Sequence, residues 1–120
     1  MVVRLQDDMV LFFAKMGVML SNGIPLLTTL QNLEEEAYTN ELKDAAKTAR
    51  LRLESEPIEN RPKLPDHGAL AQIFGEHRHL FEKAIIRLVK TGEQTGCLDL
   101  MARSIPEYIL FRNLEKWKGA

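Results

Sequence analysis

The sequence is poor in cysteine and has no excess of either charge. One residue of the 120 is cysteine, so no internal disulfide can form and a reducing compartment is expected. Lysine and arginine number 16 and aspartate and glutamate 17, which gives a formal net charge of −1. A general nucleic-acid binder normally carries a basic excess. Nucleic acid is therefore not an expected partner.

Long apolar runs are missing as well. A membrane-spanning helix needs about 18 or more consecutive apolar residues, and Lys15 interrupts the closest stretch, residues 9–20. No basic segment followed by an apolar core and a small-residue cleavage site marks a signal peptide. The composition, with 45% apolar and 28% charged residues, is that of an ordinary globular protein. We expect the 120 residues to form one soluble domain.

The motifs of common active sites are also absent. We find no strand alternation, no two-histidine metal helix and no Ser/His/Asp arrangement. The stretch from Gly92 to Gly96 is too short for a phosphate-binding loop and lacks its Lys-Ser/Thr pair. Cys97 is either a nucleophile whose pKa is lowered at a helix start or a small packing residue. We expect neither enzymatic activity nor a cofactor.

Helical periodicity is what the sequence does have. Apolar residues recur at i, i+3, i+4 and i+7 in six segments separated by glycine, proline or short polar turns. The pattern predicts an all-α fold of six helices. The first helix carries apolar residues on more than one face and should be central, with Gly17 where a neighbour approaches closely. Asp7 and Asp8 suit the positive end of its dipole.

Two glycine-containing turns divide the pattern. Gly23 should end the first helix, and Pro25 should stand at or near the first position of the second. Gly92 stands where we expect the fifth helix to end in a left-handed residue. Glu93 would then lie in the elbow before the sixth helix. That last helix contains Pro106, and we expect a kinked, nearly continuous helix rather than a restart.

Charged residues concentrate on the second and third helices. The acidic run at residues 34–36 is either a solvated face or a contact for a cation or a partner. The third helix, from about residue 41 to 55, alternates basic and acidic residues without aromatics for base stacking. A loop with three prolines follows at residues 56–66, and a short helix then ends at Gly75.

Four segments taken together resemble the type II secretion system protein F domain, the cytoplasmic module of an inner-membrane platform protein. The first contains the Gly-Ile-Pro-Leu turn with Gly23 and Pro25. The last contains the most specific signature, Gly-Glu-x-Ser/Thr-Gly-x-Leu, whose residues here are Gly92, Glu93, Thr95, Gly96 and Leu98. The four segments are residues 13–27, 30–42, 74–81 and 88–98.

The resemblance implies an antiparallel bundle of six helices whose last helix leads into a transmembrane span. Trp117 and Lys118 near the end of the sequence fit that expectation, although a polar helix end is the alternative. Residues 1–120 would be a single cytoplasmic domain on the bacterial inner membrane, cut before the span. The hydrophilic entry at residues 3–7 looks more like the first of two such domains.

The resemblance also implies a non-enzymatic role. The family couples a cytoplasmic assembly ATPase to pseudopilus or pilus assembly and contacts other inner-membrane components, and a homodimer is possible. We nominate Lys47 and Arg50 for the ATPase contact. The alternative is a free-standing regulatory helical bundle that binds a partner protein or a small ligand.

Some members of the family bind calcium through the motif's glutamate and a carboxylate four residues on. Glu93 matches that glutamate, but the residue four positions on is Cys97, a poor ligand for a hard cation. The alternative for Glu93 is a hydrogen bond at a helix end or elbow.

Overall fold

The computed structural model describes residues 4–55, 69–77 and 79–118, with side chains up to residue 114. The proline-rich loop and the Trp117 side chain lie outside the described residues. Within these ranges the chain forms six helices and no strand, which confirms the all-α prediction. The helices are α1 (Leu5–Ser21), α2 (Leu26–Glu36), α3 (Asn40–Ser55), α4 (Ala69–Gly75), α5 (Lys83–Thr95) and α6 (Leu98–Lys118).

The packing is that of an antiparallel bundle. Residues 37–39 join α2 to α3 and residues 96–97 join α5 to α6, and both pairs of helices contact each other extensively. Connections this short leave the two helices antiparallel. The α4 helix packs against α5, and α1 packs against α6 more extensively than any other pair.

The close approach of α1 and α6 is centred on Gly17. A Cβ atom at Gly17 would lie 3.0 Å from the backbone nitrogen of Arg103 and 3.2 Å from the carbonyl oxygen of Asp99. Both distances are shorter than ordinary van der Waals contact. The prediction that a neighbouring helix explains this mid-helix glycine is confirmed.

Four phenylalanines pack together where the short α4 helix meets α1. Phe12 and Phe13 of α1 meet edge to face at 5.2 Å, and Phe74 of α4 stacks on Phe81 at 4.5 Å. Phe13 also meets Phe81 edge to face at 6.0 Å. Each such pair contributes about 0.5–1.5 kcal/mol beyond its buried area. The cluster fixes α4 and the residues that precede α5.

The predicted end of the fifth helix was wrong. Gly92 lies inside α5, and the left-handed residue that ends the helix is Gly96, with φ of +72°. Gly92 is needed for space instead, because a Cβ there would lie 2.8 Å from Cα of Leu98 and 3.0 Å from Cβ of Met101. The elbow is therefore only residues 96–97, and Glu93 is a buried helical residue rather than an elbow residue.

The sixth helix runs from Leu98 to Lys118 with Pro106 inside it, so its continuity is confirmed. Proline has no N–H, and the carbonyl group four residues earlier in the helix therefore loses its usual partner. Beyond Ile109 the helix exposes Leu110 (57%) and Phe111 (63%). None of the helices described combines the length and hydropathy needed to cross a membrane.

Candidate functional site

The two turns that carry the family resemblance have the same backbone geometry. Gly23 and Gly96, with φ of +81° and +72°, are the described residues with positive φ. After α1 the N–H of Ile24 donates to the carbonyl of Met19 at 3.0 Å, and after α5 the N–H of Cys97 donates to the carbonyl of Gly92 at 2.8 Å. Both are the six-to-one bonds of a Schellman helix end. A side chain at either glycine would strain this geometry.

The two turns are joined directly. The hydroxyl of Ser21 donates to Oδ2 of Asp99 at 3.3 Å, which links the end of α1 to the start of α6. Pro25 is the N-cap of α2, and its carbonyl accepts the N–H of Thr29 at 2.9 Å. The prediction that the second helix begins at or near Pro25 is therefore confirmed.

A groove of about 420 Å³ lies between these turns and is mostly apolar. Residues from both segments line it although the segments are about 70 positions apart in the sequence. The lining residues are Leu20, Leu26, Leu27, Leu53, Ala69, Gly92, Glu93, Gly96, Leu98 and Asp99. The groove is suited to apolar ligands or side chains, with two acidic residues in its wall.

Glu93 connects α5 to α4. Its Oε2 accepts the N–H of Leu70 and its Oε1 accepts the N–H of Ala71, both at 2.8 Å. These N–H groups belong to the first turn of α4 and have no partner within their own helix. A carboxylate also suits the positive end of the helix dipole. Glu93 thus caps a helix other than its own.

Burial dominates the electrostatics of Glu93. The side chain is 5% exposed, and loss of hydration raises the pKa of Glu93 above its ordinary value. The hydrogen bonds from Leu70 and Ala71 oppose that change because they favour the charged form. Of the roles considered for Glu93, the geometry agrees with a hydrogen bond at a helix end.

The comparison with known families bears on both turns. Residues 12–120 match the sequence model of the family described as Type II secretion system (T2SS), protein F. The chain belongs to the T2SS protein F family. This places it among inner-membrane proteins of secretion and pilus systems, platform proteins not known for enzymatic activity. No curated protein matches the chain significantly.

Thr95 and Leu98, which belong to the predicted motif, complete the elbow of this T2SS protein F domain. The hydroxyl of Thr95 donates to the carbonyl of Thr91 at 2.7 Å in the last turn of α5. Leu98 starts α6, and its Cα lies against Gly92. Thr95 and Leu98 therefore hold the backbone geometry that places Glu93, and Leu98 also lines the groove.

The residues around Glu93 do not fit the calcium site that the resemblance implies. Both carboxylate oxygens of Glu93 already accept backbone N–H groups. Cys97 is half-buried, and its sulfur lies 3.6 Å from the carbonyl oxygen of Thr95. Across the described ranges, no three His, Cys, Asp or Glu side chains are grouped as metal ligands.

Asp8 is a buried carboxylate that sequence reasoning missed. It is 1% exposed and accepts the N–H of Thr39 at 2.8 Å, the hydroxyl of Thr39 at 2.7 Å and the N–H of Tyr38 at 3.1 Å. It therefore ties α1 to the turn before α3, besides lying in the first turn of its own helix. The burial of Asp8 could have been predicted from the sequence, because Asp8 lies four residues before the apolar Phe12 and therefore on the same face of α1.

The two basic residues nominated on α3 differ in their surroundings. Arg50 donates from Nε to Glu34 at 2.9 Å and pairs with Glu54 at 3.5 Å, and the bond to Glu34 raises the pKa of Arg50. Glu34 belongs to the acidic run of α2, so part of that run is neutralised within the chain. Lys47 is exposed. The charge most available to a partner at this position is that of Lys47.

Proposed function

We propose that this T2SS protein F domain is a non-enzymatic scaffold that couples a cytoplasmic assembly ATPase to pseudopilus or pilus assembly. The proposal places it on the cytoplasmic face of the inner membrane, as the first of two such domains, before a transmembrane helix. The observation that carries it is the family match over residues 12–120, which includes every helix except the start of α1.

The way the helices are tied together supports a scaffold. Asp8 joins α1 to the turn before α3, and Glu93 joins α5 to α4. The packing of α1 on α6 unites elements far apart in the sequence. A bundle connected in this way transmits a load applied to one helix to the others, because few helices can move independently.

The test is sedimentation equilibrium of the domain, alone and then mixed with its assembly ATPase. We expect a concentration-dependent dimer from the domain alone and a heteromeric complex in the mixture. Lys47→Glu should weaken that complex if α3 is the contact. A strictly monomeric domain that ignores the ATPase would contradict the proposal.

Arg50 needs a more careful variant because reversing its charge also breaks its ion pairs. The exchange Glu34→Arg with Arg50→Glu keeps an ion pair between α2 and α3 while it moves the positive charge to the other helix. If the ATPase contacts Arg50 itself, this exchange should weaken the complex. The free energy of unfolding should fall by no more than about 1 kcal/mol, because a carboxylate at position 50 repels Glu54 at i, i+4 instead of pairing with it. Arg4→Glu, at the N-cap of α1, is the control for a general charge effect.

The groove of about 420 Å³ favours a second candidate, a regulatory bundle that binds a small apolar ligand. The neutral fluorophore N-phenyl-1-naphthylamine should then brighten on addition of the domain. Leu27→Trp, which fills the groove from its α2 side, should abolish the signal. If the fluorophore does not respond to the unmodified domain, this second function is excluded.

A further inference from the structure

The outward face of α5 carries positive charge alone. Lys83, Arg87 and Lys90 follow one another at i, i+4 and i+7, which places them on one face of the helix, and all three are exposed. The one acidic residue of α5 is Glu93, which is buried and occupied by backbone N–H groups of α4. A protein of net charge −1 thus has a locally cationic helix face.

These three cations have no ion-pair partner among the residues whose side chains the structure describes. The nearest acid in sequence, Glu82, is engaged elsewhere: it accepts the hydroxyl of Tyr108 at 3.0 Å and pairs with Arg112. Like charges at i, i+4 destabilise a helix. The arrangement of Lys83, Arg87 and Lys90 therefore opposes the stability of the isolated domain.

An open cleft of about 740 Å³ lies beside the cations. Ile86 supplies partly exposed apolar surface, and Gly75 and Phe81, the latter 2% exposed, line the remainder. Glu82 also lines the cleft, with its carboxylate paired to Arg112. The cations also line this cleft, so charge and apolar surface are presented together. An apolar side chain can enter the cleft while carboxylates meet the cations.

We propose that this face of α5 docks an acidic amphipathic helix of a partner protein. Lys90 lies seven positions after Lys83, which is about 10 Å along the axis of α5, or two turns. A partner helix with carboxylates at the same spacing and a neighbouring leucine is complementary to both the charges and the cleft. The inference rests on the proposed function, since it names the chemistry by which the scaffold recognises an assembly protein.

A protein helix suits this face better than a nucleic acid or an anionic membrane. Bases need exposed aromatic rings for stacking, whereas Phe81 is 2% exposed. The formal net charge of −1 already includes these three cations, so the rest of the chain is acidic on balance. That remainder repels an extended polyanion, whereas a single short helix contacts this face alone.

The test uses a synthetic helical peptide with glutamates at i, i+4 and i+7 and a leucine at i+3, and a control peptide with glutamine in place of glutamate. Fluorescence anisotropy measures binding to the 120-residue domain. We expect Arg87→Glu with Lys90→Glu to weaken binding of the acidic peptide at least about tenfold. The matched variant Arg4→Glu with Lys47→Glu changes the net charge equally and should weaken it less than about twofold.

Several results would overturn the inference. Equal losses in the two double variants would mean that only net charge matters, and equal binding of the glutamine peptide would exclude charge recognition. Binding to phosphatidylglycerol vesicles that is lost in the α5 variant, with peptide binding unchanged, would assign the face to a membrane.

If charge reversal unfolds the domain, the milder double variant Arg87→Gln with Lys90→Gln should still weaken binding of the acidic peptide about threefold.

The ATPase separates this inference from the proposed function. If the acidic peptide binds both double variants equally well, while the ATPase binds the unmodified domain and fails to bind the Arg4/Lys47 variant, the α5 inference is wrong and the scaffold function stands. If the ATPase binds neither the domain nor its variants while the acidic peptide binds as expected, the α5 face is a docking site and the ATPase coupling is wrong.

Discussion

Asp8 and Glu93 make the same kind of connection at two places in the bundle. Each is a buried carboxylate that accepts backbone N–H groups at or just before the start of another helix, 30 and 31 residues away for Asp8 and 23 and 22 for Glu93. Asp8 also accepts a hydroxyl group, whereas Glu93 has two N–H donors and a pKa raised by burial.

The two residues also differ in how a sequence identifies them. Glu93 lies within the matched range, in the segment that resembles the family's signature, and Asp8 lies before that range, which begins at residue 12. A carboxylate in such a segment can therefore hold two helices together and need not bind a metal. Its hydrogen-bond partners decide which role it has.

The largest expected effect follows from Asp8→Ala. This change removes a buried carboxylate that accepts the N–H groups of Tyr38 and Thr39 and the hydroxyl of Thr39, so the free energy of unfolding should fall by about 2–4 kcal/mol. Urea denaturation followed by circular dichroism measures the loss. Asp7→Ala, at the exposed neighbouring position, should cost less than about 1 kcal/mol. Similar losses for the two variants would contradict the role given to Asp8.

Glu93→Ala should destabilise the domain less than Asp8→Ala, by about 1–3 kcal/mol. Two N–H groups lose their acceptor, but the penalty for burying a carboxylate disappears at the same time. Glu93→Gln keeps one acceptor oxygen and should cost less than Glu93→Ala. Hydrogen exchange should quicken at the amides of Leu70 and Ala71 before it quickens in α3. Unchanged exchange at both amides would mean that Glu93 does not hold α4.

Gly92→Ala tests the support behind Glu93 and leaves Asp8 untouched. The new methyl group would meet the backbone of Leu98 and the side chain of Met101, so we expect a loss of about 1–2 kcal/mol in the free energy of unfolding. Gly75→Ala is the matched control, because a Cβ at Gly75 meets nothing within 4 Å. It should be neutral or stabilising by up to about 1 kcal/mol. If both variants behave alike, the close packing of Gly92 is not what requires a glycine.

The smallest effect is a dependence of stability on pH. The pKa of Glu93 is raised above its ordinary value of 4.5 in the folded state, so the folded domain keeps a proton that the unfolded chain has already lost. This group therefore lowers the free energy of unfolding as the pH rises from 4.5 through the raised pKa. The stability of the unmodified domain relative to Glu93→Gln should decline over that range in urea titrations. A relative stability that increases with pH would contradict the raised pKa.

Much of the fold could be predicted from local sequence. Apolar periodicity located all six helices, and glycine and proline chemistry located the turn around Gly23 and Pro25. The predicted end of the fifth helix was too early, because Gly92 and Gly96 are both suitable helix ends in the sequence. Only the structure shows that Leu98 and Met101 lie too close to Gly92 for a side chain at that position.

The site was less predictable because it depends on contacts between distant residues. Periodicity places Asp8 on the buried face of α1, but it does not show that Thr39 is its partner. The groove also needs both turns to lie at the same end of the bundle, which neither turn specifies alone. The charges of α5 were visible in the sequence, and only the structure shows that acids on other elements are paired elsewhere, as Glu82 is with Arg112.

The packing of α1 against α6 has a consequence for synthesis of the protein. Ribosomes add roughly 5–20 residues per second, so α6 emerges roughly 5–20 s after α1. During that interval the apolar face of α1 lacks its most extensive partner, and Phe12 and Phe13 also await Phe74. The nascent chain is therefore a candidate client for chaperones until α6 has been made.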